Sequence, residues 1–131
     1  MKISELPWSF PEPRPHYPEL YVTGVGQDGD LAERLISEGV SIVFSALPDS
    51  PASQIEEDLA MSGLVVISHS TIHRHSEKVP LIVPEVNNGH LKLIDSQTEY
   101  EGGMLVSCSN CMVVPLAISL APLIRSLPVD S

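Results

Sequence analysis

The chain has no apolar run long enough to span a bilayer, few basic residues and only two cysteines, and each shortage removes a class of function. Its longest apolar stretch, Met112 to Ile124, contains Pro115, Ser119 and Pro122 and runs about 13 residues, well short of the roughly 20 that a membrane helix needs. The first twenty residues, MKISELPWSFPEPRPHYPEL, hold no apolar core of a secretion signal, so a cytoplasmic setting without a membrane partner is expected. Seven Lys and Arg against 17 Asp and Glu leave a net charge of -10, which repels phosphate backbones and argues against nucleic acid as a partner. Two cysteines without an export signal point away from a structural disulfide framework.

What remains is 131 residues with 43% apolar content, enough for one core and one domain. Five of the twelve prolines fall in the first 18 residues. They disfavour helix and strand ladders there and predict an extended or disordered lead-in over 1–19. From Leu20, β-rich runs alternate with helical patterns: LYVTGV, DLAERLISEG, SIVFSAL, SPASQIEEDLAMSG, LVVIS, then VPLIV, a short helix in NNGHLKLI, the strand GGMLVSCS and a terminal helix. That order predicts an α/β fold over 20–131, an incomplete Rossmann-like doubly wound domain with a mainly parallel sheet. Asp30 with Glu33 makes a capping-box pattern, Pro51 suits a first helical turn, and Gly39 and Gly63 sit where left-handed helix ends belong. No internal repeat is visible.

Two features compete for the chemistry. Gly24-Val25-Gly26-Gln27-Asp28-Gly29 has the G-x-G-x-x-G form, with acidic Asp49 beyond the next strand. Asp28 and Asp30 would crowd a pyrophosphate, however, which favours a solvated glycine turn. The second feature is Asn110-Cys111, at an expected strand-to-helix boundary where free N–H groups and the helix dipole favour a thiolate. A small core residue is the plain alternative. A redox or zinc module would need Cys108 and Cys111 with His69, His73 and His75, and no second Cys-Cys pair supports it. An interaction domain would use the apolar terminal helix against a partner or a second copy.

Three stretches, FSALPDSPASQIEEDLAMSG, SHSTIHRHSEKVPLIVPEVNNGHLKLI and GGMLVSCSNCMVVPLAISLAPL, resemble in order and spacing the cofactor domain of the aspartate-semialdehyde dehydrogenase family. Phe44 to Pro48 match its F-S-A-L-P, Pro84 to Asn87 its P-E-V-N, and Ser109 to Cys111 its nucleophile turn. The resemblance implies NADPH-dependent reduction of L-aspartyl 4-phosphate to the 4-semialdehyde, in aspartate-family amino-acid biosynthesis. It assigns Cys111 as nucleophile, Asn110 and Arg74 to the phosphoryl group, and Ser45, Ala46, Leu47, Pro48 and Ser70 to the NADP site, with no metal. It further implies a piece of the N-terminal NAD(P)-binding domain, truncated at both ends. The family's second domain, with its catalytic histidine, would be missing, so the chain would be inactive by itself and apt to self-associate through its C-terminal helix. Met112 and Val113 stand where the family commonly has Ser and Thr, and His69 stands where it has asparagine.

Overall fold

The computed structural model describes residues 2–16, 21–25 and 31–127. Four strands, β1 (Ile42–Ser45), β2 (Val65–Ser68), β3 (Leu81–Ile82) and β4 (Met104–Cys108), form one sheet in the order β1-β2-β4-β3. Every pairing in it is parallel. The helices are α1 (Leu31–Ser37), α2 (Asp49–Met61), α3 (Pro84–Asn87) and α4 (Val113–Ser126), with 3₁₀ segments at Ile3–Glu5 and Asn88–Ser96. This is the parallel α/β architecture that the alternating pattern predicted. Parallel neighbours need a crossover between them, and α2 supplies the one from β1 to β2.

Register places Val43, Val66 and Leu105 side by side on one face, and Ser45, Ser68 and Ser107 side by side two residues further on. Helix α2 covers that face. Its buried residues Ala52, Glu56, Leu59 and Ala60 recur at helical spacing, and Leu59, Ala60 and Leu64 join Val66, Val79 and Leu105 in the core. Burying a Leu or Val side chain fully contributes roughly 1.5–3 kcal/mol. The opposite face is thinly covered, with Ile42 and Phe44 of β1 at 51% and 74% exposure.

Helices α1 and α2 both end as their glycines predicted. Gly39 and Gly63 have φ of 79° and 89°, and Val40 N–H to Leu35 O and Leu64 N–H to Leu59 O close the turns. Gly103 serves a different purpose. A Cβ there would stand 2.0 Å from Ala60 O, so only glycine lets the start of β4 lie against the end of α2.

Three expectations change. Tyr21 to Val25 is not a strand, because Tyr21 makes only an isolated antiparallel bridge to Lys2 and 22–25 lie outside the sheet. Local strand propensity does not by itself place a segment in a sheet. Leu20, Gly26–Asp30 and with them most of the G-x-G-x-x-G and the Asp30 cap lie outside the described residues. In NNGHLKLI the helix is replaced by α3 followed by a 3₁₀ run. The Asn87 side chain there accepts from Val83 N–H at 2.8 Å and donates to Leu81 O at 2.8 Å, a local bonding that competes with helix continuation. The described part of the lead-in folds back on itself rather than extending. Arg14 donates to the carbonyls of Ile3, Ser4 and Leu6 and stacks over Trp8.

Helix α4 is the most exposed element, with Leu116, Ile118, Leu120, Leu123 and Ile124 all open to solvent. It touches α3, where Arg125 donates to Val86 O at 2.7 Å. Pro115 and Pro122 lie within it, and neither has an N–H for the carbonyl four residues before it.

Candidate functional site: the carboxyl ends of β2 and β4

A parallel sheet delivers all its strand ends to one edge, the edge where open α/β sheets take ligands. Here the ends of β2, β3 and β4 border a groove of about 580 Å³ lined by His69, Arg74, Ile82, Val83, Pro84, Cys108, Ser109, Asn110, Cys111 and Val114. All three sequence candidates for substrate chemistry, Cys111, Asn110 and Arg74, therefore share one cavity.

Asn110 organises the turn. Its carbonyl accepts from Val113 and Val114 N–H at 2.9 and 3.0 Å, and its side-chain Oδ1 accepts from Met112 N–H at 2.8 Å. Asn110 thus holds together the turn that leads into α4, with Cys111 inside that turn. Regular helix begins two residues later, at Val113, because Pro115 cannot bond back to Cys111 O. Cys111 is exposed and Cys108 is partly covered. Burial pushes the Cys108 thiol up, an effect that the nearby Arg74 guanidinium partly offsets. The two thiols are distinct in access, and both are free.

Arg74 does not make the solvent-facing ion pair with Glu77 or Asp95 that its sequence neighbours would offer. Its Nε donates to Cys108 O at 3.2 Å and one terminal nitrogen donates to His69 O at 2.9 Å. It bridges the ends of β4 and β2 and keeps three of its five N–H groups uncommitted.

Ser45, Ala46 and Leu47 line a second groove of about 360 Å³, together with Thr23, Val25, Leu31, Arg34, Leu35, Glu38, Val43, Phe44, Ile55 and Leu59. Ser45 is 6% exposed, and its hydroxyl has no protein partner. Pro48 precedes α2 as its N-cap. Ser70 lies elsewhere and is committed. It is buried, its hydroxyl donates to Asp49 Oδ1 at 2.5 Å, and it accepts from Ile72 N–H at 3.2 Å.

Sequence reasoning missed three side-chain pairings around this edge. Asp49 accepts from Ser70, from Thr71 N–H at 2.8 Å and from the Thr71 hydroxyl, and these bonds hold its carboxyl down to about 2. Glu56, fully buried in α2, has Oε2 2.9 Å from Nε2 of buried His73. Gln97, also buried, donates to Lys78 O and Leu105 O and accepts from Leu105 N–H. Asp49 in a first helical turn was the single local signal. The partners lie 8 to 22 residues away. The zinc arrangement of Cys108, Cys111, His69, His73 and His75 is not assembled, since no group of three or more metal-ligating side chains occurs among the described residues and His73 is taken by Glu56.

Residues 16–94, more than half of the chain, match the family model described as semialdehyde dehydrogenase, NAD binding domain. The chain belongs to this family. Aspartate-semialdehyde dehydrogenase of Archaeoglobus fulgidus is 45% identical over 84 residues, 63% of this chain and 24% of that protein. Malonyl CoA reductase (NADP) of Metallosphaera sedula is 38% identical over 93 residues, 70% of this chain and 26% of that one. The solved Candida albicans aspartate-semialdehyde dehydrogenase with NADP superposes with a TM-score of 0.59 at 32% identity, over 69% of this chain and 27% of that chain. A Vibrio cholerae aspartate-semialdehyde dehydrogenase II, complexed with ASA, superposes equally well at 22% identity, over 70% of this chain and 28% of that one, a likeness of fold. The chain spans about a quarter of the length of the curated relatives it matches. Among its described residues no helix is long and apolar enough to cross a membrane.

Proposed function

We propose that this chain forms the thiol-and-cofactor face of an aspartate-semialdehyde dehydrogenase, with Cys111 as the nucleophile. The observation that carries the reading is one exposed thiol, on a turn held by Asn110, sharing a groove with a guanidinium that has donors to spare. In the first half-reaction the Cys111 sulfur attacks the acyl carbon of aspartyl 4-phosphate. The carbon–sulfur bond forms, the bond to the phosphoryl oxygen breaks, and inorganic phosphate leaves with the electron pair. Arg74 and Asn110 hold the phosphoryl group, a fork of N–H donors being matched to paired oxygens. The first turn of α4 stabilises charge on the acyl oxygen.

NADP chemistry fits the second groove on one structural ground, the buried and unpartnered Ser45 hydroxyl that lines it. Ser45, Ala46, Leu47 and Pro48 would hold the nucleotide, and the reduced cofactor would supply the hydride for the thioester carbon, the carbon–sulfur bond breaking to return the Cys111 thiolate and release the semialdehyde. Ser70, a cofactor residue by the family resemblance, stands outside this groove with its hydroxyl bonded to Asp49. The same proposal takes 1–19 as a lead-in and 20–131 as the cofactor domain, sets the chemistry in the cytoplasm, and allows self-association through the apolar face of α4.

Full turnover is not expected from this quarter of the relatives' length alone, so the test addresses the half-reaction. Incubation with a small acyl phosphate such as acetyl phosphate should acylate Cys111, release inorganic phosphate and give a mass increase lost in Cys111→Ser. No adduct, or equal adduct on Cys108, would refute the assignment.

A further inference from the structure

Arg74 sits in a loop that has little structure of its own. Between β2 and β3 the only backbone bonds within it are short turns, Arg74 N–H to Thr71 O at 3.2 Å and Ser76 N–H to His73 O at 3.1 Å. Its far end is held by Gln97, which donates to Lys78 O, and by Ser107 N–H, which donates to Pro80 O, while its start is held by α2. Asp49, in the first turn, takes the Ser70 hydroxyl, the Thr71 amide and the Thr71 hydroxyl. Ser70 passes the constraint on, accepting from Ile72 N–H, while its own N–H is held by Ser68 Oγ at 3.1 Å. Seven residues along the same helix, Glu56 meets His73. The next residue is Arg74. Its own anchors are two neutral carbonyls on different strands, bonds that water replaces readily on a long side chain. A guanidinium spanning two strand ends therefore depends on where its backbone is held, and three bonds just before it, from the Ser70 hydroxyl, the Thr71 amide and the Thr71 hydroxyl, converge on the Asp49 carboxylate.

We infer that Asp49 is a positioning residue for Arg74, tying the loop Ser70–Ile72 to the head of α2 and so setting the guanidinium across the ends of β2 and β4 beside Cys111. The inference deepens the phosphoryl role proposed for Arg74 and rests on it for its consequence, though not for its geometry.

Two readouts on the full chain separate the clamp from the chemistry. The first is the Arg74 Nε–H resonance in nitrogen-15 NMR, assigned by its loss in Arg74→Lys. In the wild-type chain it should exchange slowly with solvent. In Asp49→Ala exchange should quicken roughly tenfold or more, the scale of losing a hydrogen bond to a charged group. Asp49→Asn, which keeps an acceptor for Thr71 N–H, should be intermediate. Because Asp49→Ala could fail to fold, Ser70→Ala with Thr71→Val cuts the same bonds from the loop side and should give the same quickening, the Leu105 amide serving as the check on the core. An unchanged Arg74 signal in a folded variant overturns the inference, as does a fast-exchanging signal in the wild type. The second readout is protection of Cys111 from iodoacetamide by inorganic phosphate, expected in the wild type, lost in Arg74→Ala and weakened roughly tenfold in Asp49→Ala. If phosphate protects nothing while the Arg74 signal still depends on Asp49, the phosphoryl reading falls and the positioning role stands.

Discussion

Replacing Gln97 by alanine should destabilise the domain far more than a residue outside any helix or strand ordinarily would. Strand β3 is two residues long and reaches only Ser107 and Cys108 of β4, so on that side Leu105 has no strand beside it. The Gln97 amide takes the strand's place, donating to Leu105 O at 2.8 Å and to Lys78 O at 3.0 Å and accepting from Leu105 N–H at 3.0 Å. Leu105 is fully buried, which puts its N–H and carbonyl out of reach of bulk solvent. Three bonds at about 1 kcal/mol net each, with a buried N–H and carbonyl left unpaired, put the cost at about 3 kcal/mol. For a domain of this size that is a fall of about 12 °C in Tm, at about 4 °C per kcal/mol. Urea unfolding followed by far-UV circular dichroism measures it, with Ser96→Ala, an exposed neighbour, as a control expected within about 0.5 kcal/mol. A loss below about 1 kcal/mol at an unchanged urea slope would refute the idea that a side chain completes the sheet.

The remaining predictions are narrower. Gly103→Ala should cost about 3 kcal/mol or more by urea unfolding, because its Cβ would meet the Ala60 and Leu64 carbonyls at 2.0 and 2.9 Å, whereas Gly89→Ala, with open space around it, should be nearly silent. Near neutral pH iodoacetamide should label Cys111 faster than Cys108, whose thiol is partly covered and shifted up; equal rates by peptide mass spectrometry would contradict this. Asp49 titrates at about 2 in the fold against an ordinary value of 3.8, so its contribution to stability is complete above pH 3.8 and disappears as pH falls towards 2. Asp49→Asn should flatten the acid limb of the stability curve, and identical limbs would show that the loop bonds do not matter.

Strands β1, β2 and β4 and helix α2 were legible because each apolar run is bounded by glycine, proline or a capping residue, signals that act within a few residues. The Cys111 turn was legible for the same reason, Asn110 bonding the turn that leads into a helix whose own start Pro115 delays. What stayed hidden lies in side chains that pair over long separations. Nothing local distinguishes Asp49, bound to Ser70 and Thr71, from the acidic residue of a dinucleotide fingerprint. Nothing near Gln97 says that it will stand in for a strand. The misreading of Tyr21–Val25 has the opposite cause, since its strand propensity is local and the four-stranded sheet is built from other segments. Arg74 is the instructive middle case, placed at the groove by resemblance yet held there by carbonyls and a carboxylate that only the fold reveals.

The two prolines of α4 bear on what can ever cover that helix. Pro115 and Pro122 stand seven residues apart, two turns, so the carbonyls they leave without a donor, those of Cys111 and Ile118, fall along one stripe. An otherwise greasy surface thereby carries two acceptors at fixed spacing. A purely hydrocarbon cover would strand them at a cost of about 1–3 kcal/mol each. Any snug neighbour of α4 must therefore present hydroxyls, amides or trapped water at that interval, a selectivity written into the backbone of a helix whose side chains alone would accept almost any oil.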